Sequence, residues 1–482
     1  MQIFRYRARN FCRAMSLLLA ALCVIGLSSA ISLAGQQPLT GQKRSGPSDA
    51  EVAARVRSYL APFGESGNLS GAVLIARHGR VLFREAYGLA NYELRVPNSS
   101  RTRFHIASVT KPFTAAAILQ LQERGRLQVS DYISRYLPDF PHGDRITLDN
   151  LLTHTSGIPD INDLEDYDTF ARSPHTLDQL IAKFAGLPLE FQPGSKASYS
   201  NSNYNLLARI IEKVSGQTYG DYLATHIFGP CGMHDTGHDG DAARIISSSA
   251  SGYDPFELTG YEKAPYLDWS NKTGPGSLYS TVGDLLLFDR ALNSGKILSD
   301  STRKKYYVEG EENTYGWYFF SRLGHRLMAG KGQGPGFTAE LDDYPDDGVT
   351  IIILSNSHSS VTQDPIVTGL AAIVFGNEPP KPPALSFAPL PQTELASFAG
   401  DYQYGPDYFI PNAKFTLLPQ SGSLVLQLRE MQSPLVSAGH DQFVERRWFG
   451  SIKITRDTQG KVTGLVTRYG TRNLSARKLE AK

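Results

Sequence analysis

Cysteine is scarce in this chain, with 3 among 482 residues. Two of them, Cys12 and Cys23, fall near the amino terminus, so the rest of the chain holds Cys231 alone. This count excludes a disulfide-stapled scaffold, which needs several paired cysteines. Cys231 lies in an apolar turn of the sequence, and we expect it to be buried by packing rather than used in catalysis.

An excess of charge of one sign is also missing. Lys and Arg number 48 against 47 Asp and Glu, which gives a net charge of +1. That balance argues against a protein that binds nucleic acid or another polyanion through a strong basic field. The composition, 41% hydrophobic and 20% charged, is ordinary for a folded globular protein. The length then predicts two or three domains.

The amino terminus has the pattern of an export signal. Four arginines precede an apolar run, Leu17–Leu27, and small residues follow up to Ala34. This order is typical of a secretory signal peptide. We therefore predict a signal peptide over residues 1–34, a flexible spacer over residues 35–48, and a periplasmic or extracellular protein. Retention of the leader as a membrane anchor stays open, because its apolar part is just long enough to cross a bilayer.

Residues 49–376 alternate between helical and strand patterns. Helical periodicity begins at Asp49, and two β-prone runs joined by His78-Gly79 indicate a hairpin. A mostly helical stretch over residues 107–295 is followed by strand patterns and then by a final helix. This order predicts an α+β domain in which terminal helices flank an antiparallel β-sheet and a helical subdomain is inserted.

The carboxy-terminal part has a different composition. Residues 377–393 are rich in proline and predict a stiff linker. Beyond the linker, short β-like runs recur with turn signals at Ser421-Gly422 and Gln459-Gly460. We predict a small all-β domain over residues 394–482, either a barrel or a sandwich.

A candidate for nucleophilic chemistry is Ser108-x-x-Lys111, which opens a long apolar helix. The same spacing recurs at Ser301 and Ser475, where no such helix follows. Residues i and i+3 face each other on a helix, so Lys111 is able to reach the Ser108 hydroxyl. A serine hydroxyl needs a base to remove its proton. Burial favours the uncharged lysine that acts as such a base.

Two further segments supply matching groups. Tyr199-Ser200-Asn201 lies just before an apolar helix, with Tyr199 suited to proton transfer and the Asn201 amide suited to hold a substrate carbonyl. A structural role for Tyr199, as an aromatic anchor on that helix, is the alternative to proton transfer. The glycine-rich stretch 330–336 lies between two strand patterns, and its glycines permit close approach of the backbone to a ligand. An edge strand there would present a second oxyanion donor beside the Ser108 N–H.

Taken in this order, the three motifs resemble the serine β-lactamase and penicillin-binding-protein superfamily. The Tyr-x-Asn form is similar to its class C branch, which includes carboxypeptidases, aminopeptidases and esterases of peptidase family S12. The resemblance covers about residues 49–376. It implies an acyl-enzyme at Ser108, with Lys111 and Tyr199 as base and acid and Asn201 as substrate anchor. It also implies a small-molecule or peptide substrate, such as one derived from peptidoglycan, and no cofactor.

One departure from the family pattern concerns the third motif. The family has Lys or His, any residue and Gly ahead of a Pro-Gly-Phe, and here Gly330 stands where that cation belongs. Either a bulged strand brings the neighbouring Lys331 into the cleft, with Gly332, Gln333 and Gly334 beside the substrate, or the cation is absent. Its absence would favour simple esters or amides over substrates that carry a carboxylate. A carboxylesterase and a non-catalytic binding or scaffold protein are the alternatives.

Histidine offers no competing site in the sequence. His154 has no Gly-x-Ser-x-Gly elbow to serve, and its Thr/Ser/Gly surroundings favour a structural role. The histidines also lack the spacing of metal ligands, so we expect no metal.

Overall fold

The structure is a computed structural model that describes residues 47–65, 67–256, 258, 260–308, 313–357, 363–382, 384–408, 410–420, 422–428, 431–446, 450–469 and 472–480. The predicted signal peptide and nearly all of the predicted spacer lie outside these ranges. Within them, every helix is too short or too polar to span a bilayer.

The α-helices are α1 Asp49–Glu65, α2 Thr110–Glu123, α3 Leu148–Leu152, α4 Tyr167–Phe170, α5 Leu177–Phe184, α6 Asn201–Ser215, α7 Tyr219–Leu223, α8 Gly229–Cys231, α9 Val282–Asn293, α10 Asp300–Tyr306, α11 Gln363–Val374 and α12 Gln392–Phe398. The strands are β1 Gly71–Arg77, β2 Arg80–Tyr87, β3 Leu89–Asn91, β4 Val96–Pro97, β5 Phe104–His105, β6 Gly237–His238, β7 Tyr253–Phe256, β8 Gly260–Lys263, β9 Leu278–Ser280, β10 Tyr318–Arg322, β11 His325–Gly334, β12 Phe337–Tyr344, β13 Val349–Ser355, β14 Gly400–Tyr404, β15 Lys414–Gln420, β16 Ser423–Leu428, β17 Met431–Gly439, β18 Gln442–Glu445, β19 Ser451–Arg456, β20 Val462–Tyr469 and β21 Arg472–Lys478.

The predicted α+β architecture is confirmed by a six-stranded antiparallel sheet with the order β10-β11-β12-β13-β1-β2. Strands β1 and β13 come from opposite ends of the domain and pair from Gly71↔Ser355 to Arg77↔Val349. The helical stretch between β2 and β10 therefore leaves the sheet and returns to it, as expected for an inserted subdomain.

The β1–β2 hairpin forms where the sequence predicts it. His78 and Gly79 both have positive φ, +47° and +73°, as the central residues of a type I′ turn require.

Strand β13 is buried along its whole length because both faces of the sheet are covered. Ile351 and Ile353 pack into a cluster with the terminal helices α1 and α11. Ile352 and Leu354 point to the opposite face and pack with the inserted subdomain, including α2. Successive strand residues alternate between faces, so the unbroken apolar run serves two cores.

Helix α2 lies in the second of these cores. Its residues from Thr110 to Leu121 are all buried, Lys111 among them. Pro112 falls in the first turn, where a missing N–H removes no helical hydrogen bond. The helix thus carries a lysine into surroundings that are otherwise largely apolar.

The carboxy-terminal domain is a closed barrel formed by β14 to β21. Its interior holds alternate strand residues such as Leu424 and Leu426, and β21 closes on β14 through the pair Tyr402↔Lys478. The predicted all-β domain is confirmed in its barrel form, with the short helix α12 leading into it.

The contacts of the barrel with the sheet domain include those of Val444 in β18 and of Arg446 just after it. Val444 belongs to the apolar cluster that also contains α1 and α11. The guanidinium of Arg446 is buried, and its Nη1 donates to the carbonyl oxygens of Phe256 at 3.1 Å and Gly260 at 2.9 Å. The barrel therefore holds the β7–β8 hairpin of the neighbouring domain.

Candidate active site

Ser108 lies in the short 3-10 turn Ala107–Val109 that leads into α2. Ala107 has a φ of +43°, a left-handed conformation that is strained for a residue with a side chain. The glycine-rich strand β11 crosses this turn closely. A Cβ added at Gly332 would lie 2.1 Å from the Ile106 carbonyl oxygen and 3.1 Å from the Ser108 nitrogen. Only glycine lets the strand approach the nucleophile so closely.

Lys111 is inaccessible to solvent and contacts the nucleophile directly. Its Nζ lies 3.0 Å from Ser108 Oγ, 2.9 Å from Asn201 Oδ1 and 3.1 Å from the Pro275 carbonyl oxygen. Asn201 Oδ1 and the Pro275 oxygen accept only, whereas a hydroxyl also donates. A neutral amine has two N–H groups for the two acceptors and a lone pair for the Ser108 hydroxyl.

The electrostatic surroundings favour that neutral form. Burial lowers the pKa of Lys111 well below its ordinary value, and the positive charge of Lys272 acts in the same direction. The carboxylate of Asp160 opposes both effects. Because burial is the largest of these influences, the amine is suited to accept a proton.

Tyr199 completes the contacts of the serine hydroxyl. Its OH donates to Ser108 Oγ at 2.8 Å, and its ring lies 4.7 Å from Lys111 Nζ. The ring stacks on that of His154 at 4.6 Å. His154 Nδ1 accepts from the Ser200 backbone N–H at 3.1 Å, and burial lowers the pKa of His154 to about 3. His154 is thus a neutral support for Tyr199, as its surroundings in the sequence indicate.

Asn201 is the first residue of α6 and is fixed at both ends of its amide. Its Oδ1 accepts from Lys111, and its Nδ2 donates to Asp160 Oδ2 at 2.9 Å. The Asn201 backbone N–H donates to Asp160 Oδ1 at 3.2 Å. These contacts leave one N–H of the amide for the substrate carbonyl that the sequence predicts it to bind.

Sequence reasoning misses Asp160, Lys272 and Pro275. Lys272 donates to Asn162 Oδ1 at 2.8 Å, and the Asn162 backbone N–H donates to Asp160 Oδ1 at 3.1 Å. Asp160 caps a short 3-10 helix, and this capping pattern is the local sequence signal that points to Asp160. Nothing in that pattern predicts a contact with Asn201, 41 residues along the chain.

The prediction that Lys331 lines the cleft is wrong. Strand β11 pairs with β12 without a bulge, and Lys331 pairs with Glu340. Alternation places Gly332 toward Ser108 and Lys331 on the opposite face. There its Nζ lies 3.6 Å from Glu340 Oε1 and 5.5 Å from the Phe320 ring centroid.

The remaining residues of the third motif follow the same alternation. Gly334 faces the nucleophile turn, since a Cβ there would lie 3.6 Å from Ala107 Cβ. The side chain of Gln333 points with Lys331 to the far face, so Gln333 offers the cleft its backbone. A Cβ at Gly330 would face Trp317 and Val109. The position of the family's cation is therefore occupied by a residue without a side chain.

Cys231, expected to be buried, is 7% exposed, and burial raises the pKa of its thiol to about 11. Its thiol therefore stays protonated at neutral pH, and the expectation of a packing role is consistent with the structure.

Comparison with known proteins adds to this geometry. The model of the family described as Beta-lactamase matches residues 54–374. The chain belongs to this family. A penicillin-binding protein of Bacillus subtilis strain 168 is 32% identical over 348 residues, which cover 67% of this chain and 76% of that protein. The protein is thus a serine hydrolase of the β-lactamase superfamily.

Solved structures share the fold. The octameric penicillin-binding protein homologue from Pyrococcus abyssi is 23% identical, with a TM-score of 0.61 over 88% of this chain and 99% of that one. A D-stereospecific amidohydrolase from Streptomyces is 25% identical, with a TM-score of 0.55 over 63% of this chain and 94% of that one.

Proposed function

We propose that this serine hydrolase is exported and cleaves amide or ester bonds in small peptide-like substrates through an acyl-enzyme at Ser108. The observation that carries the proposal is the buried amine of Lys111, 3.0 Å from Ser108 Oγ. General-base assistance by a well-placed group contributes about 10²–10⁴-fold to such reactions.

The reaction follows from the contacts of Ser108. Lys111 Nζ takes the hydroxyl proton as Oγ forms a bond to the substrate carbonyl carbon. The carbonyl electron pair moves to its oxygen, and the tetrahedral intermediate collapses as the amine or alcohol leaves with a proton from Lys111 or Tyr199. Water then attacks the acyl carbon, and the group that gave its proton to the leaving group takes one from the water. Lys111 returns a proton to Ser108 Oγ as the ester bond breaks, which releases the acid and free Ser108.

The oxyanion would be held between two backbone N–H groups. The Ser108 N–H is one, and β11 supplies the other. Pairing of β10 with β11 begins at Tyr318↔Ala329, so residues 330–334 of β11 extend beyond the edge strand. Gly332 of this stretch lies against the Ser108 nitrogen, so a backbone N–H of the strand is the candidate for the second oxyanion donor.

Two observations bear on the substrate. The relatives include a penicillin-binding protein and a D-stereospecific amidohydrolase, which supports peptide-like amides, including those derived from peptidoglycan, as the class to test. The missing cation at Gly330 weakens selection for a substrate carboxylate and favours a carboxylesterase as the second candidate. Export is proposed from the leader pattern, and the mass of the mature protein after expression with its leader tests it.

The catalytic assignment is tested with a fluorescent fluorophosphonate and a fluorescent penicillin, followed by mapping of the adduct. We expect Ser108→Ala to abolish labelling. Ser301→Ala, which alters another Ser-x-x-Lys motif of the chain, is the matched control and should label normally. Labelling that persists in Ser108→Ala would remove this assignment.

Nitrocefin, D-amino acid amides and p-nitrophenyl esters then separate the candidate activities. Turnover of amides or nitrocefin supports the peptidase and β-lactamase class. Turnover confined to esters supports the carboxylesterase.

A further inference from the structure

A cavity of about 300 Å³ lies beside the nucleophile turn, and no step of the proposed reaction uses it. The rings of His105, Trp269 and Phe337 line it. Tyr266 also lines it and is 63% exposed, which places this ring at the mouth. The cavity is therefore open to solvent, and four rings form part of its wall.

The cavity begins where the glycine-rich strand ends. A Cβ at Gly334 would meet Trp269 Cη2 at 2.8 Å and Ala107 Cβ at 3.6 Å. Pro335, the next residue, lines the cavity. Gly334 follows Gly332, which lies against the Ser108 nitrogen, by two residues or about 7 Å of strand. A side chain attached to the acyl carbon of a bound substrate spans such a distance.

The inner wall is flat and rigid. The His105 ring stacks on Trp269, with centroids 4.0 Å apart and an interplanar angle of 5°. The Phe337 ring approaches the His105 ring edge-on, with centroids 5.1 Å apart. His105 Nε2 lies 2.8 Å from Asp239 Oδ2, which fixes the imidazole. Burial lowers the pKa of His105, so the ring is neutral at pH 7.

The charged groups of the lining are Asp239, Asp268 and Arg244. Asp239 is bonded to His105, and Asp268 Oδ1 accepts from the backbone N–H of Ser270 at 3.1 Å and from its hydroxyl at 2.7 Å. Arg244 is exposed. Both carboxylates are therefore already bonded to the protein, and a group that enters the cavity meets the rings and the small residues of the lining, with Arg244 on the exposed side.

We propose that this cavity binds the side chain of the acyl donor, and that this side chain is aromatic or branched and apolar. The proposal rests on the proposed function, since it takes Ser108 as the nucleophile. An apolar cavity of about 150 Å³ is large enough to bind benzene, so about 300 Å³ admits a benzyl or indolyl group. Aromatic rings gain from offset and edge-on contacts with the stacked wall.

The test compares p-nitrophenyl phenylacetate with p-nitrophenyl acetate on the full chain, each corrected for its rate of alkaline hydrolysis. We expect kcat/KM to favour the phenylacetyl ester by at least about tenfold. Ala264→Leu fills the cavity from its wall and Trp269→Leu removes the stacked ring. Each should lower the phenylacetyl-to-acetyl ratio by at least about tenfold. Ala243→Leu, an exposed position outside the lining, is the matched control and should leave the ratio unchanged.

The outcomes separate this proposal from the one on which it rests. Thermal melting reports whether each variant folds, and Trp269→Leu decides if Ala264→Leu does not. Ester turnover with a ratio near one, or a ratio that neither folded variant changes, overturns the pocket and leaves the hydrolase intact. Absence of both ester turnover and fluorophosphonate labelling of Ser108 overturns the two proposals together.

Discussion

Asp160→Asn replaces one carboxylate oxygen with an amide nitrogen at a buried position beside Asn201. In the native protein, Asp160 Oδ2 accepts from Asn201 Nδ2 at 2.9 Å, and Oδ1 accepts from the Asn201 backbone at 3.2 Å. The asparagine keeps one acceptor, and its NH₂ group then faces the NH₂ group of Asn201. Two donors do not bond each other, so Asn201 loses the partner that turns its Oδ1 toward Lys111.

The size of the effect follows from the burial of this contact. A buried donor left without a partner costs about 1–3 kcal/mol. When this cost adds to the activation free energy of acylation, it lowers the rate about 5- to 150-fold, since each 1.36 kcal/mol corresponds to a factor of ten. We expect the rate of Ser108 acylation to fall within this range while the fold is retained.

The pH dependence distinguishes this reasoning from general damage to the site. The charge of Asp160 raises the pKa of Lys111, and that of Lys272 lowers it. Asp160→Asn should therefore move the acidic limb of the acylation profile to lower pH, because Lys111 loses its proton more readily. Lys272→Met should move the same limb to higher pH. Opposite shifts from two neighbours are not expected of a merely structural defect.

The assay is the second-order rate of fluorophosphonate labelling between about pH 5 and pH 10, which reads the state of the base without a known substrate. Asp166→Asn is the matched control, because Asp166 is an exposed carboxylate of the same region and is bonded to Lys183. It should leave rate and profile unchanged. Shifts in the same direction for Asp160→Asn and Lys272→Met, or no shift in either, refute the assignment of Lys111 as the base.

Three further predictions concern other parts of the molecule. Lys331→Ala should change kcat/KM for uncharged esters less than twofold, because this side chain lies on the far face of the sheet beside Glu340. A loss above tenfold would show that Lys331 acts in the cleft. Burial raises the pKa of Asp289 to about 6. The contribution of this carboxyl to the free energy of unfolding is therefore greatest below its unfolded pKa of about 4, and it is lost as the pH rises through about 6. Asp289→Asn should therefore gain stability relative to the native protein between pH 4 and pH 8, measured by urea unfolding, and an unchanged difference would contradict this. Arg446→Met removes two hydrogen bonds from a charged donor to the β7–β8 hairpin, and each bond is worth about 1.5–3 kcal/mol. Backbone amides of this hairpin should therefore exchange with solvent faster in the variant. Unchanged protection would show that the barrel does not hold the hairpin.

Several features were predictable from the sequence because their causes are local. The His78-Gly79 turn, with both φ values positive, follows from what two residues between β-prone runs permit. The approach of Lys111 to Ser108 follows from the spacing of one helical turn. In both cases a short stretch of backbone fixes which side chains meet.

The error at Lys331 has an equally physical origin. A shift of one residue along a strand moves a side chain to the other face of the sheet. The sequence left a bulged register open, and the pairing of Lys331 with Glu340 in an unbroken ladder closes it. Register depends on the partner strand and on the buried faces, neither of which the motif contains.

The amino-acid sequence by itself was enough to specify three features. The order of the motifs specified the superfamily, the periodicity of single elements specified the α+β domain and the all-β domain, and the spacing of neighbouring residues specified the serine–lysine pair. Folding in three dimensions decided which groups surround that pair. Asp160 reaches Asn201, Pro275 reaches Lys111, and the barrel reaches the β7–β8 hairpin across long separations in sequence. Such contacts arise only when the elements pack, because the charge of a buried amine is set by everything that excludes water from it.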